Sequence, residues 1–492
     1  MTYLIGNTTP LIPRYNIEKA DWELYDNLTS KIPTFDPNNP HDDIANLLKE
    51  FINDSAKKSI PISKGHPSKI PVPWWSNELS KLVKEKHTLS RRLDRINKRF
   101  NYINNSNEPM TEKAHKLVIL AIEIIEIKPM LNKTSAKFKK AVKEGKIISW
   151  RKYISSLSSE TPMKNIWHMF RKINGSHTQS PRFPIEHNGQ IIHDRKNISN
   201  IIGNHLQVVS SNTNVEDHFK KIKNSVEKIT LNFDTENIYL YNNSFTMEEL
   251  EDALNSTNES SPGEDKITFS MIKHLNNLAK SYLLKFYNLL WHKKVFPKIW
   301  RHAIVLPIAK PGKDPRIVTN YRPISLTSCL CKAMEKMINN RLTWYLEKNQ
   351  ILSPSQSGSR KNKSTLDSLT SLENQIKKGF ERKKVTVAVY FDIQKAYDTT
   401  WRYNILRSLY DHGFRGELPT FIKNFMSERT FQVRIENIYS DIFKLQNGIP
   451  QGSVLSGTLF IMAINNIVTV LPKGVQIVYT LMILQYFIHL II

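Results

Sequence analysis

The residues best placed to do chemistry stand in Val385–Trp401, which reads Val-Thr-Val-Ala-Val-Tyr-Phe-Asp-Ile-Gln-Lys-Ala-Tyr-Asp-Thr-Thr-Trp. The β-branched run Val385, Thr386, Val387 and Val389 predicts a buried strand, and Asp392 arrives at its end, where an apolar run does not otherwise tolerate an acid. An ionised carboxylate in that setting needs a compensating cation. The period then changes at Ala396, Tyr397 and Trp401, which start a helix or turn. Asp392 is therefore expected at a strand end facing a cleft, a usual place for a divalent metal. An Asp here could equally cap the next helix, and the stretch alone leaves both uses open.

Two more groups could meet such a centre. Lys310, Lys313, Arg316 and Arg322 crowd positive charge onto one turn and its flanks, which suits a triphosphate or a nucleic-acid backbone. An exposed hairpin tip would carry the same residues, and the Gly-Lys-Ser/Thr ending of a P-loop is missing. Thr430–Glu436 and Asp441–Leu445 alternate at period two and predict a hairpin that ends in Asn447-Gly-Ile-Pro-Gln-Gly-Ser453. Gly448 and Gly452 would let the backbone approach a ligand, with Gln451 offering donor and acceptor to a base and a helix starting near Ser453.

The elements that must position these groups sit in a chain of 492 residues, long enough for two or three domains. With 70 Lys and Arg against 45 Asp and Glu, the formal charge is +25, which favours a polyanion such as nucleic acid, or else an anionic membrane surface. The two cysteines, Cys329 and Cys331, are too close together for an ordinary disulfide and imply a reducing compartment. No signal peptide is visible at the N-terminus, so the expected location is cytoplasmic or nuclear and not secreted.

Residues 1–75 are turn-rich, with Pro33, Pro37, Pro40, Pro61, Pro67, Pro71 and Pro73 interrupting one short helical stretch near Ile44–Ile52, and read as an irregular connector. Residues 76–210 read as a basic helical region. Leu79, Leu82, Val83, Leu89, Leu93, Ile96 and Phe100 recur at helical spacing among Lys and Arg, so the charge either lies in solvent or meets phosphate. A second helix is expected over Glu112–Lys128, broken by Pro129, then a third, strongly cationic one over Ser135–Lys146. The aromatic faces of Trp150–Gly175 are expected to pack as core. Residues 211–244 read as a linker, and from Phe245 the texture is that of a compact domain, opened by the capping box Thr246–Glu249.

Four blocks in this order carry a family resemblance: Leu306-Pro-Ile-Ala-Lys-Pro-Gly-Lys-Asp-Pro315, Asn320-Tyr-Arg-Pro-Ile-Ser-Leu326, Phe391-Asp-Ile-Gln-Lys-Ala-Tyr-Asp398 and Gly448-Ile-Pro-Gln-Gly-Ser-Val-Leu-Ser456. Residues 245–479 resemble a reverse transcriptase of the non-LTR retrotransposon type, close to the jockey/LINE group. Ala20-Asp-Trp, Pro73-Trp-Trp75 and Trp150–Gly175 look like the segment that precedes the polymerase in those elements. The resemblance implies an α/β (α+β) fold, right-hand polymerase fingers and a partial palm, preceded by the mainly helical basic region.

It further implies RNA-directed DNA polymerase activity on an RNA template and DNA primer, with dNTPs as substrates and no membrane partner. Asp392 would be the first metal-binding aspartate, assisted by the carbonyl of Ile393, in a site for two Mg²⁺ ions that activate the primer 3′-hydroxyl and neutralise phosphate charge. Tyr397 would be the gate against a ribose 2′-hydroxyl. Lys310 and Arg322 would contact triphosphate or template, Gln451 and Gly452 would position template and nucleotide, and Asp398 would cap the following helix.

Three departures stand out. Ser359 replaces a usual Phe and Gly457 a usual Pro, which suggests relaxed packing. The acid pair expected after Tyr479, as Tyr-Ala-Asp-Asp, is missing, and the chain reads Tyr479-Thr-Leu-Met-Ile. Thr480-Leu-Met-Ile483 can be written ACG CTG ATG ATT, which read one base earlier after a T spells Tyr-Ala-Asp-Asp, so residues 480–492 are expected to be an out-of-frame tail. The competing expectation makes Val475–Ile492 a tail anchor. The expected chain is a truncated, inactive copy without the upstream endonuclease domain or the downstream thumb, the alternative function being a nucleic-acid-binding remnant. An RNA-dependent RNA polymerase would want a smaller residue at Tyr397 and a Thr where Ile461 stands.

Overall fold

The computed structural model describes residues 14–63, 73–106, 109–158, 163–174, 184–470, 472, 475–480 and 483–490. Two compact units divide the chain, one of residues 66–179 and one that combines residues 1–65 with 180–492.

The larger unit begins with α1 (Trp22–Thr29), opened by the Asp21 side chain accepting from the Leu24 amide, and α2 (His41–Ser59). Ile44, Leu48, Ile52 and Ala56 recur at helical spacing and are buried in the same core as Leu250, Trp291, Trp300 and Phe421. Residues 14–63 are thus corrected from an irregular connector: Pro40 stands at the N-cap of α2 and Pro61 follows its end, while an apolar stripe on the helix docks on the downstream core.

The smaller unit is built on α3 (Asn77–Asn104) and α4 (Met110–Ile154), followed by α5 (Met163–Asn174). The expected break at Pro129 does not occur. The helix runs through it for 45 residues. Loss of one backbone bond and the ring clash cost ~3 kcal/mol, which good helix formers on both sides and packing against α3 offset. Ile96, Leu120 and Ile127 form the seam with Leu89, Leu93, Phe100 and Ile124, and Lys81, Lys84, Arg91, Arg92, Arg95, Lys98 and Arg99 are exposed. Trp167 is 53% and Phe170 43% exposed, so the expectation that these aromatics form core is only partly met.

Returning to the larger unit, β1 (Ile185–His187) pairs with β2 (Gln190–Ile192), and α6 (Arg195–Ser210) and α7 (Asp217–Val226) follow. The stretch 180–210 therefore belongs to the larger unit and not to the basic helical one. The stretch 211–244 is likewise not a free linker. Lys223 is buried with its ammonium on Asn212 and Asn447, and Phe233 and Tyr241 enter the core.

Then come α8 (Met247–Asn255), with its capping box, α9 (Phe269–Lys273), α10 (Asn277–His292) and α11 (Lys298–Arg301). Next are β3 (His302–Ala309), β4 (Tyr321–Leu326), α12 (Cys329–Lys348), α13 (Thr365–Glu381), β5 (Val385–Asp392) and α14 (Ala396–Thr399). The unit continues with α15 (Arg402–Asp411), α16 (Glu417–Met426), β6 (Thr430–Ile435), β7 (Ile438–Tyr439), β8 (Phe443–Lys444), α17 (Ser456–Ile464), β9 (Gln476–Thr480) and β10 (Ile483–Leu490).

One sheet has the order β4-β3-β6-β7, with β8 also on β6, and β3 runs parallel to β6. Ile198 and Ile202 of α6 cover it against Val305, Phe431 and Val433. The helix lies so close that a Cβ on Gly203 would fall 2.1 Å from the Phe443 ring.

The second sheet has the order β5-β10-β9. Its edge strand β5 was expected to be buried, yet Val387 is 38%, Val389 46% and Phe391 52% exposed. An edge position leaves one side of a strand without a neighbour, and β-branched composition reports fitness for a pleated surface, not burial. Residues 476–480 and 483–490 are strands and not the helix a tail anchor requires, and no described helix is long and apolar enough to cross a membrane.

If α2 belongs to the core of the larger unit, Leu48→Ala and Ile52→Ala should each destabilise that unit by about 2–5 kcal/mol in chemical denaturation, with loss of protection in α10 and α12 as well as in α2.

Candidate active site

Asp392 is the last residue of β5 and exposed, paired across the ladder with Ile483 of β10. Ile393 turns inward and packs in the cluster around Ile477. Lys395 takes a left-handed conformation (φ 51°), which bends the chain into the single turn α14, where the amides of Asp398 and Thr399 donate to its carbonyl at 2.8 and 3.0 Å. Tyr397 then stands half-buried with its ring centroid 5.3 Å from that of Phe460, and burial pushes its hydroxyl pKa up.

The loop Asn447–Ser453 is stitched onto this turn. The Gly448 amide donates to the Thr400 carbonyl and that of Ile449 to the Tyr397 carbonyl, both at 2.8 Å, and the Ser325 amide of β4 donates to the Gln451 carbonyl at 2.8 Å. Gly448 has φ 78°, and a Cβ there would lie 2.5 Å from the Asp398 carbonyl oxygen. Gly452 has φ 122°, and its Cβ would lie 2.4 Å from the Ser325 carbonyl oxygen. The two glycines thus admit close approach of the chain to itself.

The side chains of Arg402 and Glu335 hold the two ends of the loop. The Arg402 guanidinium donates to the carbonyls of Gly448 (2.7 Å), Leu445 (3.1 Å) and Asn447 (3.2 Å). Glu335 accepts from the Val454 amide (2.8 Å), the Leu455 amide (3.4 Å) and the Ser453 hydroxyl.

Asp398 does not cap the next helix, whose cap residue is Trp401, which makes no side-chain capping bond. Its carboxylate instead accepts the Gln451 amide nitrogen at 3.3 and 3.4 Å. Burial raises its pKa to about 6, against the opposing pull of Lys395 and Gln451. The cavity beside them, between Ser325, Asn447, Gly448 and Gln451, holds about 30 Å³, room for a water and not for a base.

Lys310, at the end of β3, donates to the Thr319 carbonyl at 3.1 Å, and Arg322 is exposed on β4 opposite Ile308. Lys310 also bears on the turn at Lys395. Burial lowers the Lys395 pKa, Asp398 opposes this, and the Lys310 charge lowers it further. His205 of α6 is lowered first by burial and then by Lys395. Lys310, Lys395, Asp398, Gln451 and Gly452 are therefore brought together, while Arg316 is engaged by Asp314 at 2.8 Å.

Lys395, His205 and Arg402 were not singled out from sequence. The sole local signal was a Lys three residues before Asp398. The two departures Ser359 and Gly457 face each other, since a Cβ on Gly457 would meet the Ser359 hydroxyl at 3.1 Å.

Among the described residues no three His, Cys, Asp or Glu side chains gather as a metal site. Asp392 with the Ile393 carbonyl gives one carboxylate and one peptide oxygen, too few for two Mg²⁺ ions that each take six oxygens. Leu481 and Met482, where the acid pair was expected, lie outside the described residues.

The raised Asp398 pKa has a definite sign. The folded state holds the proton that the unfolded chain loses above pH 3.8, so this residue's contribution to stability falls as pH rises from 3.8 to about 6 and is flat beyond. Asp398→Asn should therefore gain on the natural chain by about 3 kcal/mol across that window and keep the difference at pH 7, read from denaturation curves of both proteins at each pH.

Residues 308–487 match the family described as reverse transcriptase (RNA-dependent DNA polymerase). The chain is 35% identical over 218 residues to a probable RNA-directed DNA polymerase from transposon BS of Drosophila melanogaster, covering 44% of this chain and 24% of the relative. It is 35% identical over 199 residues to the RNA-directed DNA polymerase from mobile element jockey of the same species, covering 40% and 22%. The jockey polymerase of Drosophila funebris is 32% identical over 244 residues, covering 48% and 26%. The matched region thus spans about a quarter of the length of these relatives. The matched segment, with its mixed α/β fold, is thus similar to reverse transcriptases, those of jockey-type mobile elements among them.

Proposed function

We propose that the chain binds an RNA template, a DNA primer and a dNTP in the manner of a retrotransposon polymerase, and that this copy does not extend the primer. The observation that carries the proposal is the ladder register. Ile483 pairs with Asp392 on one side and with Thr480 on the other, so β9 and β10 run to the strand end that carries Asp392. The sequence has Leu481 and Met482 where the resemblance calls for an acid pair, and neither brings a charge. Thr-Leu-Met-Ile can be encoded by codons that spell Tyr-Ala-Asp-Asp one base earlier, and we therefore read residues 480–492 as translated out of frame.

The remaining parts support binding. Lys310, Arg322 and Lys395 supply cations for phosphate, and Tyr397, stiffened by Phe460, is the group to meet the sugar. Gln451 gives its amide nitrogen to Asp398, leaving its carbonyl oxygen as acceptor. Two Mg²⁺ ions would neutralise the phosphate charge in an active relative, and here Asp392 and Ile393 alone would face them.

Primer extension on an RNA template, with a filter-binding assay for the hybrid run in parallel, tests this reading. The natural chain should bind the hybrid in a salt-dependent way and add no nucleotide, and Leu481→Asp with Met482→Asp should raise Mg²⁺ binding at the site. Nucleotide addition by the natural chain would overturn the proposal of inactivity, and absence of hybrid binding at low salt would overturn the binding role.

A further inference from the structure

A cavity of about 550 Å³ lies between the loop after α1 and the outer face of α10, apart from the turn described above. Its walls are the rings of Phe35 and Tyr282, set edge to face with centroids 6.0 Å apart, and the Leu289 side chain. Phe35 is fixed from behind by Phe286, which is fully buried. The rim is cationic. The Lys285 ammonium lies 4.8 Å over the Tyr282 ring, Lys293 donates to the Pro37 carbonyl at 2.5 Å, and His292 shares a hydrogen bond with the Ser244 hydroxyl at 2.8 Å. No carboxylate lines the cavity, and neither lysine is in an ion pair among the described residues.

The volume lies in the range that admits a nucleotide-sized group. Aromatic walls offer base stacking, rim lysines outside any described ion pair offer phosphate contact, and together these are the parts of a single-strand binding site. Pro33 and Pro37 bracket Thr34-Phe35-Asp36 and stiffen the wall, so little order need be gained on binding.

We propose that this cavity takes one unpaired nucleotide of a single-stranded RNA. The inference rests on the template reading above. In primer-directed synthesis the strand that enters unpaired is the template RNA, whereas bases within a duplex are stacked and cannot be splayed into a pocket. The cavity then acts as a second grip on the template, set on the N-terminal segment and α10, outside the region 308–487.

The test uses the full chain, a fluorescently labelled single-stranded RNA carrying 4-thiouridine, and a salt series. Crosslinked peptides should include Thr34–Pro37 or Tyr282–Lys293. Tyr282→Ala should weaken binding roughly 5- to 100-fold, the worth of one stacked base. Lys285→Ala with Lys293→Ala, changes at the rim that leave the packing of Phe286 intact, should reduce the slope of log affinity against log salt by about 1.4. If RNA still binds but crosslinks avoid both peptides and the double variant keeps the natural slope, the inference fails and the template reading stands. If the natural chain binds no RNA at low salt, the template reading itself fails. Single-stranded DNA that crosslinks to the same peptides with equal affinity would overturn the assignment to RNA.

Discussion

The site depends on a loop held between the partly buried guanidinium of Arg402 and the buried carboxyl group of Glu335. Arg402 gathers the carbonyls of Leu445, Asn447 and Gly448, and Glu335 gathers the amides of Val454 and Leu455 and the hydroxyl of Ser453. Bonds to a charged group contribute about 1.5–3 kcal/mol each, and leaving such a group unpaired costs more. Arg402 has no carboxylate partner among the described residues. Burial, then the neighbouring charge of Arg429, pulls its pKa down to about 9, so the guanidinium is still charged at neutral pH but desolvated at a cost. The loop carbonyls offset that cost, and the loop and the arginine therefore hold each other.

From this constraint the rest of the geometry follows. With its ends fixed, the loop must pass within hydrogen-bond distance of α14 on one side and β4 on the other, which only glycine permits at positions 448 and 452. Gln451 is thereby carried to Asp398, and the block containing Arg322 and Ser325 is carried to the block containing Asp392 and Tyr397. Lys310 arrives with β3, whose register to β4 is continuous from Ile304 to Ala309. Segments as far apart in the chain as those of Ser325 and Gln451 thus converge.

Much of this was legible in the sequence where the signal was local. The capping box of α8, the alternation of β6 and the strand-to-turn change at Asp392 are written in neighbouring residues, and the structure places each where periodicity and cap chemistry put it. Contacts between distant segments were not legible. The stripe Ile44, Leu48, Ile52 and Ala56 shows that one face of a helix is apolar, but not that Trp300 and Phe421 will share its core. Pro129 looks like a helix stop because its penalty is local, while the packing against α3 that outweighs it is not. Asp398 reads as a cap from its place before α15 and becomes the partner of Gln451 because Arg402 holds a loop some fifty residues on. The exposure of β5 follows from sheet order, which composition does not contain.

Amide hydrogen exchange on Arg402→Met measures the central constraint most directly. The account predicts that Gly448, Ile449 and Ser325, whose amides hold the loop to α14 and β4, exchange at least tenfold faster than in the natural chain while amides within α10 keep their protection. Unchanged protection at those three amides would contradict it.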